Sequence, residues 1–182
     1  VRQLAPLGLR RLRITGGEPT IRPGLPELVA QLRAVPGIED IALSTNGVRL
    51  PELAPALRAA GLDRVNISAD SLIPERIAAI ARRDLGFSPE RAVVAALEAG
   101  LEPVKLNMVV MRGINDDEVE AFAALSERYP VHVRFIELMP VGEMAHLTDA
   151  HIVPSAEVLA RVATRGRLEP AAGPARGNGP AV

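Results

Sequence analysis

The residues best suited to chemistry stand together near the start of the chain, in Leu12-Arg13-Ile14-Thr15-Gly16-Gly17-Glu18-Pro19. A short apolar strand carrying cationic side chains runs into a double glycine, an acid and a proline. Two adjacent glycines let the backbone turn sharply and leave main-chain N–H groups open to a ligand, with no Cβ in the way. Glu18 follows the end of a strand, and ligands of parallel α/β proteins bind at that edge. An ordinary βα turn has the same local signature. The other strands must decide between the two.

Five segments read as strands: Arg11 to Thr15, Asp40 to Ser44, Arg64 to Ser68, Val104 to Val110 and Val131 to Ile136. Amphipathic helical segments alternate with them. Leu25, Leu28, Val29 and Leu32 recur at helical spacing before Pro36, and a second helix spans about Pro51 to Ala60 with Gly61 as its stop. A short helix is predicted over Pro74 to Arg83. Ser88-Pro89-Glu90 is a strong start for the next, which ends near Gly100. Asn115-Asp116-Asp117-Glu118 has capping-box spacing and opens a helix that stops before Pro130, and a last helix spans about Ser155 to Val162. Alternation with short connections implies a parallel sheet with right-handed crossovers. An open doubly wound sheet and a (β/α) barrel both fit that pattern.

Parallel strands buried on both faces read as continuous apolar runs. These do not. Arg11, Arg13 and Thr15 share one face of their strand, as do Asn66 and Ser68, Lys105 and Asn107, and His132 and Arg134. The opposite faces are apolar, as in Leu12 and Ile14 or Val131, Val133 and Phe135. One face should therefore pack on helices while the other lines a polar space, unlike the apolar interior of a closed eight-stranded barrel. Arg11, Arg13, Lys105 and Arg134 would converge there and need anionic partners. Pairing with Glu18, Asp70 and Glu137 is one solution. Phosphate or carboxylate groups of a ligand are the other, since arginine suits bidentate oxyanion binding.

Composition narrows the function classes. The 182 residues contain no cysteine, which excludes disulfides, thiol nucleophiles and cysteine-ligated metal within this chain. His132, His146 and His151 lack zinc-site spacing and read first as surface or loop residues. A net charge of −1 excludes a grossly basic nucleic-acid binder. No apolar run reaches the roughly 18 residues of a membrane span, so the expectation is a soluble cytoplasmic protein. Arg82-Arg83 and the Arg161/Arg165/Arg167 group read as solvated faces.

Six stretches together carry a resemblance. They are Arg13 to Pro19, Ser44-Thr45-Asn46-Gly47, Asn66 to Ser71, Pro103 to Asn107, Arg112-Gly113-Ile114-Asn115-Asp116, and Arg134-Phe135-Ile136-Glu137-Leu138-Met139-Pro140. In order and spacing they resemble the GTP 3′,8-cyclase family of radical SAM enzymes, which opens molybdenum cofactor biosynthesis. The resemblance implies an α/β fold, an incomplete (β/α)6 radical SAM barrel. It also implies a reaction in which a 4Fe–4S cluster reduces S-adenosylmethionine (SAM) and the resulting radical cyclises GTP through the ribose C3′ and guanine C8.

By position, the resemblance places SAM against Gly16, Gly17, Glu18, Ser68 and the backbone of Met139, and GTP against Arg13, Ser44, Lys105 and Arg134. Arg11 stands where lysine is usual and would assist the phosphates. Ser44 replaces a usual threonine, and Thr20 and Ala69 replace usual leucines. The family's two cysteine sets, which hold two 4Fe–4S clusters, would lie before Val1 and after Val182. The chain then holds no catalytic residue and no metal ligand of its own, and reads as the central fragment of a cyclase, inactive alone. Residues 1–165 would be the partial barrel and 166–182 the start of a C-terminal region. Implied partners are GTP, a second copy in a homodimer and the next enzyme of the molybdenum cofactor pathway, with neither nucleic acid nor membrane. Another radical SAM activity, such as a peptide-modifying maturase, and a non-catalytic cysteine-free binding domain are the alternatives. GTP binding discriminates among them.

Overall fold

The computed structural model describes residues 1–82, 86–139 and 149–169. Its elements are β1 (Arg11–Ile14), α1 (Leu25–Arg33), β2 (Asp40–Thr45), α2 (Leu50–Ala59), β3 (Arg64–Ser68), α3 (Pro74–Ala81), α4 (Pro89–Glu98), β4 (Val104–Val110), α5 (Val119–Arg128), β5 (Val131–Glu137) and α6 (Ser155–Ala163). All strand pairings are parallel, and the sheet order is β1-β2-β3-β4-β5. A strand order that never reverses sends each right-handed crossover over the same side of the sheet, which is the winding of a barrel and not of a doubly wound sheet. The sheet is not closed. It is an α/β incomplete barrel with β1 and β5 at its edges.

The apolar strand faces meet the helices as the alternation requires. Ile41, Leu43, Val65, Ile67, Leu106 and Met108 are fully buried, together with Leu57 of α2, Val93 of α4 and Phe122 of α5. Burying each large aliphatic or aromatic side chain contributes about 1.5–3 kcal/mol, so this layer supplies the fold's cohesion without the other face. Gly61 ends α2 at φ +99°, and a Cβ there would stand 2.8 Å from Arg33 Cγ. Arg33 uses that space to donate to the Gly61 carbonyl at 2.8 and 3.0 Å.

One local expectation holds and one changes. Ser88 caps α4 as read, accepting from the Arg91 N–H. Asn115 does not cap the next helix: its side chain turns back to the β4 exit, and a 3₁₀ turn over Asp116–Glu118 precedes α5. Glu118 is buried among donors from the β3 exit, so it cannot reach back to close a capping box. His132 is exposed, as read, and lies within β5 in register with Lys105. Arg83, Pro140, His146 and the tail 170–182 lie outside the described residues.

Candidate functional site

The strand register builds the polar face directly. In parallel pairs, residues in register point to the same side. Ser44 pairs with Asn66, Asn66 with Lys105, and Lys105 with His132, giving one polar row across four strands. The next row toward the strand C-termini holds Ser68, Asn107 and Arg134. Arg13 lies in a third row with Ala42 and Arg64. Four cationic side chains therefore share one face.

Their mutual field is visible at Lys105. Burial, then the guanidinium groups of Arg134, Arg64 and Arg13, push its ammonium below the usual lysine value, while Asp40 acts the other way. Glu18, Asp70 and Glu137 do not supply the compensating charge. Glu18 accepts from Thr45 Oγ1 at 2.6 Å, from the Asn46 N–H at 2.6 Å and from both donors of Thr20. Burial works to raise its carboxyl, but these bonds outweigh it and hold the group below the usual range. Asp70 accepts from the Val109 N–H, and Glu137 from the N–H and hydroxyl of Ser155, the first residue of α6. The anion that does pair on this face is Asp40, bidentate to Arg64 at 2.6 and 2.8 Å. Neither Arg13 nor Arg134 makes a salt bridge among the described residues.

The double glycine follows β1 directly. A Cβ on Gly16 or Gly17 would have no atom within 4 Å, so packing against the rest of the chain does not require glycine at either position. Glu18 fixes the turn by tying it to the end of β2. A further signal lies on β4, two strands from β2: Asn107 Oδ1 is buried and has no hydrogen-bond partner among the described residues. Buried acceptors are normally satisfied, so an orphan on a polar face marks a place for an external donor.

The sequence model of the radical SAM superfamily matches residues 1–125. The chain belongs to the radical SAM superfamily. It is 49% identical over 182 residues to the GTP 3′,8-cyclase of Pelotomaculum thermopropionicum, an alignment covering 100% of this chain and 56% of that protein. It is 51% identical over 175 residues to the GTP 3′,8-cyclase of Heliobacterium modesticaldum, covering 96% and 53%. The chain thus spans about half the length of the curated relatives it matches. Among solved structures, a radical SAM methyltransferase from Sphaerobacter thermophilus superposes with a TM-score of 0.64 at 18% identity, covering 90% of this chain and 50% of that one. Coproporphyrinogen III oxidase from Escherichia coli, a radical SAM enzyme, superposes at 0.60 and 16% identity, covering 86% and 40%. At those identities the likeness is one of fold.

On this radical SAM barrel the site residues named from the sequence fall into three places. Gly16, Gly17 and Glu18 leave β1, and Ser68 ends β3 with its side chain exposed. Arg13, Ser44, Lys105 and Arg134 line the polar face itself. Met139, 68% exposed, follows β5 at the opposite edge of the sheet from the glycines. Sequence reasoning missed the Asp40–Arg64 pair. Both residues begin their strands with the parity of the polar face, and that parity was the available signal. A cavity of about 540 Å³ between the N-terminal segment and α1 is lined by Val1, Leu28, Leu32 and Val35 and contains none of the site residues.

Proposed function

We propose that this chain is the barrel segment of a GTP 3′,8-cyclase, a lyase-type enzyme acting in molybdenum cofactor biosynthesis. The observation that carries the reading is the convergence of Arg13, Lys105 and Arg134 on one open face, at a cost registered in the depressed Lys105. A nucleoside triphosphate relieves that cost, because its oxyanions replace mutual repulsion with charge-assisted hydrogen bonds. Similarity to curated cyclases supports GTP over other triphosphates. Arg13, Lys105 and Arg134 hold its anionic groups, and the Ser44 hydroxyl adds a neutral contact.

SAM fits the other part of the site. The open backbone at Gly16 and Gly17 suits its amino-acid end, Glu18 holds that turn in shape, and Ser68 with Asn107 Oδ1 offers an acceptor pair to its hydroxyls. The Met139 backbone faces the adenine. When bound and given one electron, SAM would supply the hydrogen abstraction that starts ring closure, while the protein orients the two ligands and excludes water. The 182 residues do not fit a 4Fe–4S cluster, since they contain no thiolate. Residues 1–165 are the barrel unit in this reading. The product passes to the next enzyme of the pathway in the cytoplasm, and a homodimer is the assembly to seek by light scattering. No helix among the described residues is long and apolar enough to cross a membrane.

Calorimetric titration of GTP into the full-length protein tests the reading. Lys105→Ala should weaken binding by about 1.5–3 kcal/mol, the scale of a hydrogen bond to a charged group. Equal affinity of the variant and wild type removes Lys105 from the site.

A further inference from the structure

The β3 exit is held far more firmly than a connection between a strand and a helix requires. The last β3–β4 register pair is Ser68 with Asn107, yet β4 continues to Val110. Beyond that pair the two chains must part, and side chains take over the ladder. The Ala69 N–H donates to the Asn107 carbonyl at 2.9 Å, and Asp70 Oδ1 then accepts from the Val109 N–H at 2.8 Å. Asn115, fully buried, donates through Nδ2 to the carbonyls of Asp70 and Val109 at 2.7 and 2.8 Å, and accepts from the Met111 N–H at 2.7 Å. Behind it, buried Glu118 accepts from the Leu72 N–H at 2.6 Å and from Ser71 Oγ at 2.7 Å, and it pairs with Arg76. Residues 69 to 72 are thus each tied, one after another, to β4 or to the turn before α5.

We propose that Asp70 and Asn115 are positioning residues that lock the β3 and β4 exits into one rigid lip, so that Ser68 and Asn107 meet SAM at a fixed spacing. The inference rests on the function proposed above and adds a division of labour to it. Arg13 and Lys105 project from within β1 and β4 and do not depend on this lip. Ser68 is the last residue before the clamped stretch, and its register partner Asn107 carries the acceptor that has no partner among the described residues. A loop already ordered loses less conformational freedom when a ligand binds. Loosening the clamp should therefore weaken the ligand held at the lip and spare the one held on the strand face.

The test is equilibrium titration of the full-length reconstituted protein with SAM and, separately, with GTP. Asp70→Ala should raise the Kd for SAM about tenfold, the effect of ordering one or two groups on binding, and leave the Kd for GTP within about twofold. Asp70→Asn keeps an acceptor for the Val109 N–H and should restore SAM affinity. Arg76→Ala removes only the outer, partly exposed partner of Glu118, which keeps its bonds from Ser71 and Leu72, and should weaken SAM about two- to threefold without touching GTP. SAM affinity unchanged in Asp70→Ala, or parallel loss of both ligands in Asp70→Ala and Arg76→Ala, overturns the inference. If wild type binds GTP but fails to bind SAM, the lip assignment falls while the GTP site stands. If wild type binds neither, the proposed function falls and the inference with it.

Discussion

Lys105 shows how a single side chain can join a proposed ligand contact to its energetic cost. Its ammonium is held below the ordinary lysine value by burial and by Arg134, Arg64 and Arg13, so the folded state disfavours its charge. Between the depressed native value and the ordinary one the unfolded chain binds more protons, so this group's contribution makes stability rise with pH across that window. An anionic ligand reverses the preference, since it stabilises the charged form. GTP affinity should accordingly fall as pH climbs through the same window, and calorimetry across alkaline buffers checks it. Lys105→Met should raise thermal stability modestly, by up to about 1 kcal/mol, while losing GTP affinity. A drop in melting temperature would contradict the repulsive account. The Asp40–Arg64 pair behaves oppositely. Arg64 is only 8% exposed and Asp40 23%. Replacing Asp40 by Ala strands a buried guanidinium and should cost about 3 kcal/mol in urea unfolding at neutral pH. The hydrogen bond from Arg64, the largest influence on Asp40, holds its carboxyl below the usual range. Its stabilisation is therefore present above the ordinary aspartate value and is lost as pH falls through the native one.

At the scale of elements, the strands do two jobs through period-two alternation. Leu106 and Met108 pack into the helical layer while Lys105 and Asn107 on the same strand face the polar space. These alternations were legible because parity along a strand survives into any parallel sheet. The ends of elements were less legible. Asn115-x-x-Glu118 satisfies the spacing of a capping box, yet both side chains are drawn to the β3 exit instead. Local spacing cannot register that competition, because the partners lie more than 40 residues earlier in the chain. Phe122 on α5 is fully buried against the sheet. Phe122→Ala should cost about 3–5 kcal/mol in stability, read from the urea midpoint, through lost transfer energy and the cavity left behind.

Across the whole molecule, the monotone strand order leaves β2, β3 and β4 paired on both sides and β1 and β5 paired on one. Amide exchange of the full-length protein with and without GTP separates the layers. The core amides of β2 and β3 should exchange most slowly in either state, because opening them exposes the main apolar cluster. GTP should add protection along β1 and β4, where Arg13 and Lys105 stand, and faster exchange in β3 than in β1 would refute this ordering. The same topology explains why a ligand site can exist here at all. A sheet packed by helices on one side alone leaves the other side free to be polar, whereas helices on both faces would bury Arg13, Lys105 and Arg134 away from water at prohibitive cost.

By itself the sequence determined the alternating α/β elements, the parity that sets cationic residues on one face, and the glycine turn after the first strand. Each depends on residue types at short range, where hydrophobic period and backbone freedom act. Whether the sheet winds as a barrel or doubles back was decided only in three dimensions, since both satisfy the same periodicity. So were the roles of the acids. Glu18 braces its own loop, Asp70 extends a ladder, Glu137 caps a helix, and Asp40 pairs with Arg64. A carboxylate binds whichever donors the fold brings within about 3 Å of it, and that neighbourhood is a property of long-range packing. The turn at Gly16 and Gly17 belongs to both accounts: its residues make it open, and the brace from Glu18 to β2 holds it so.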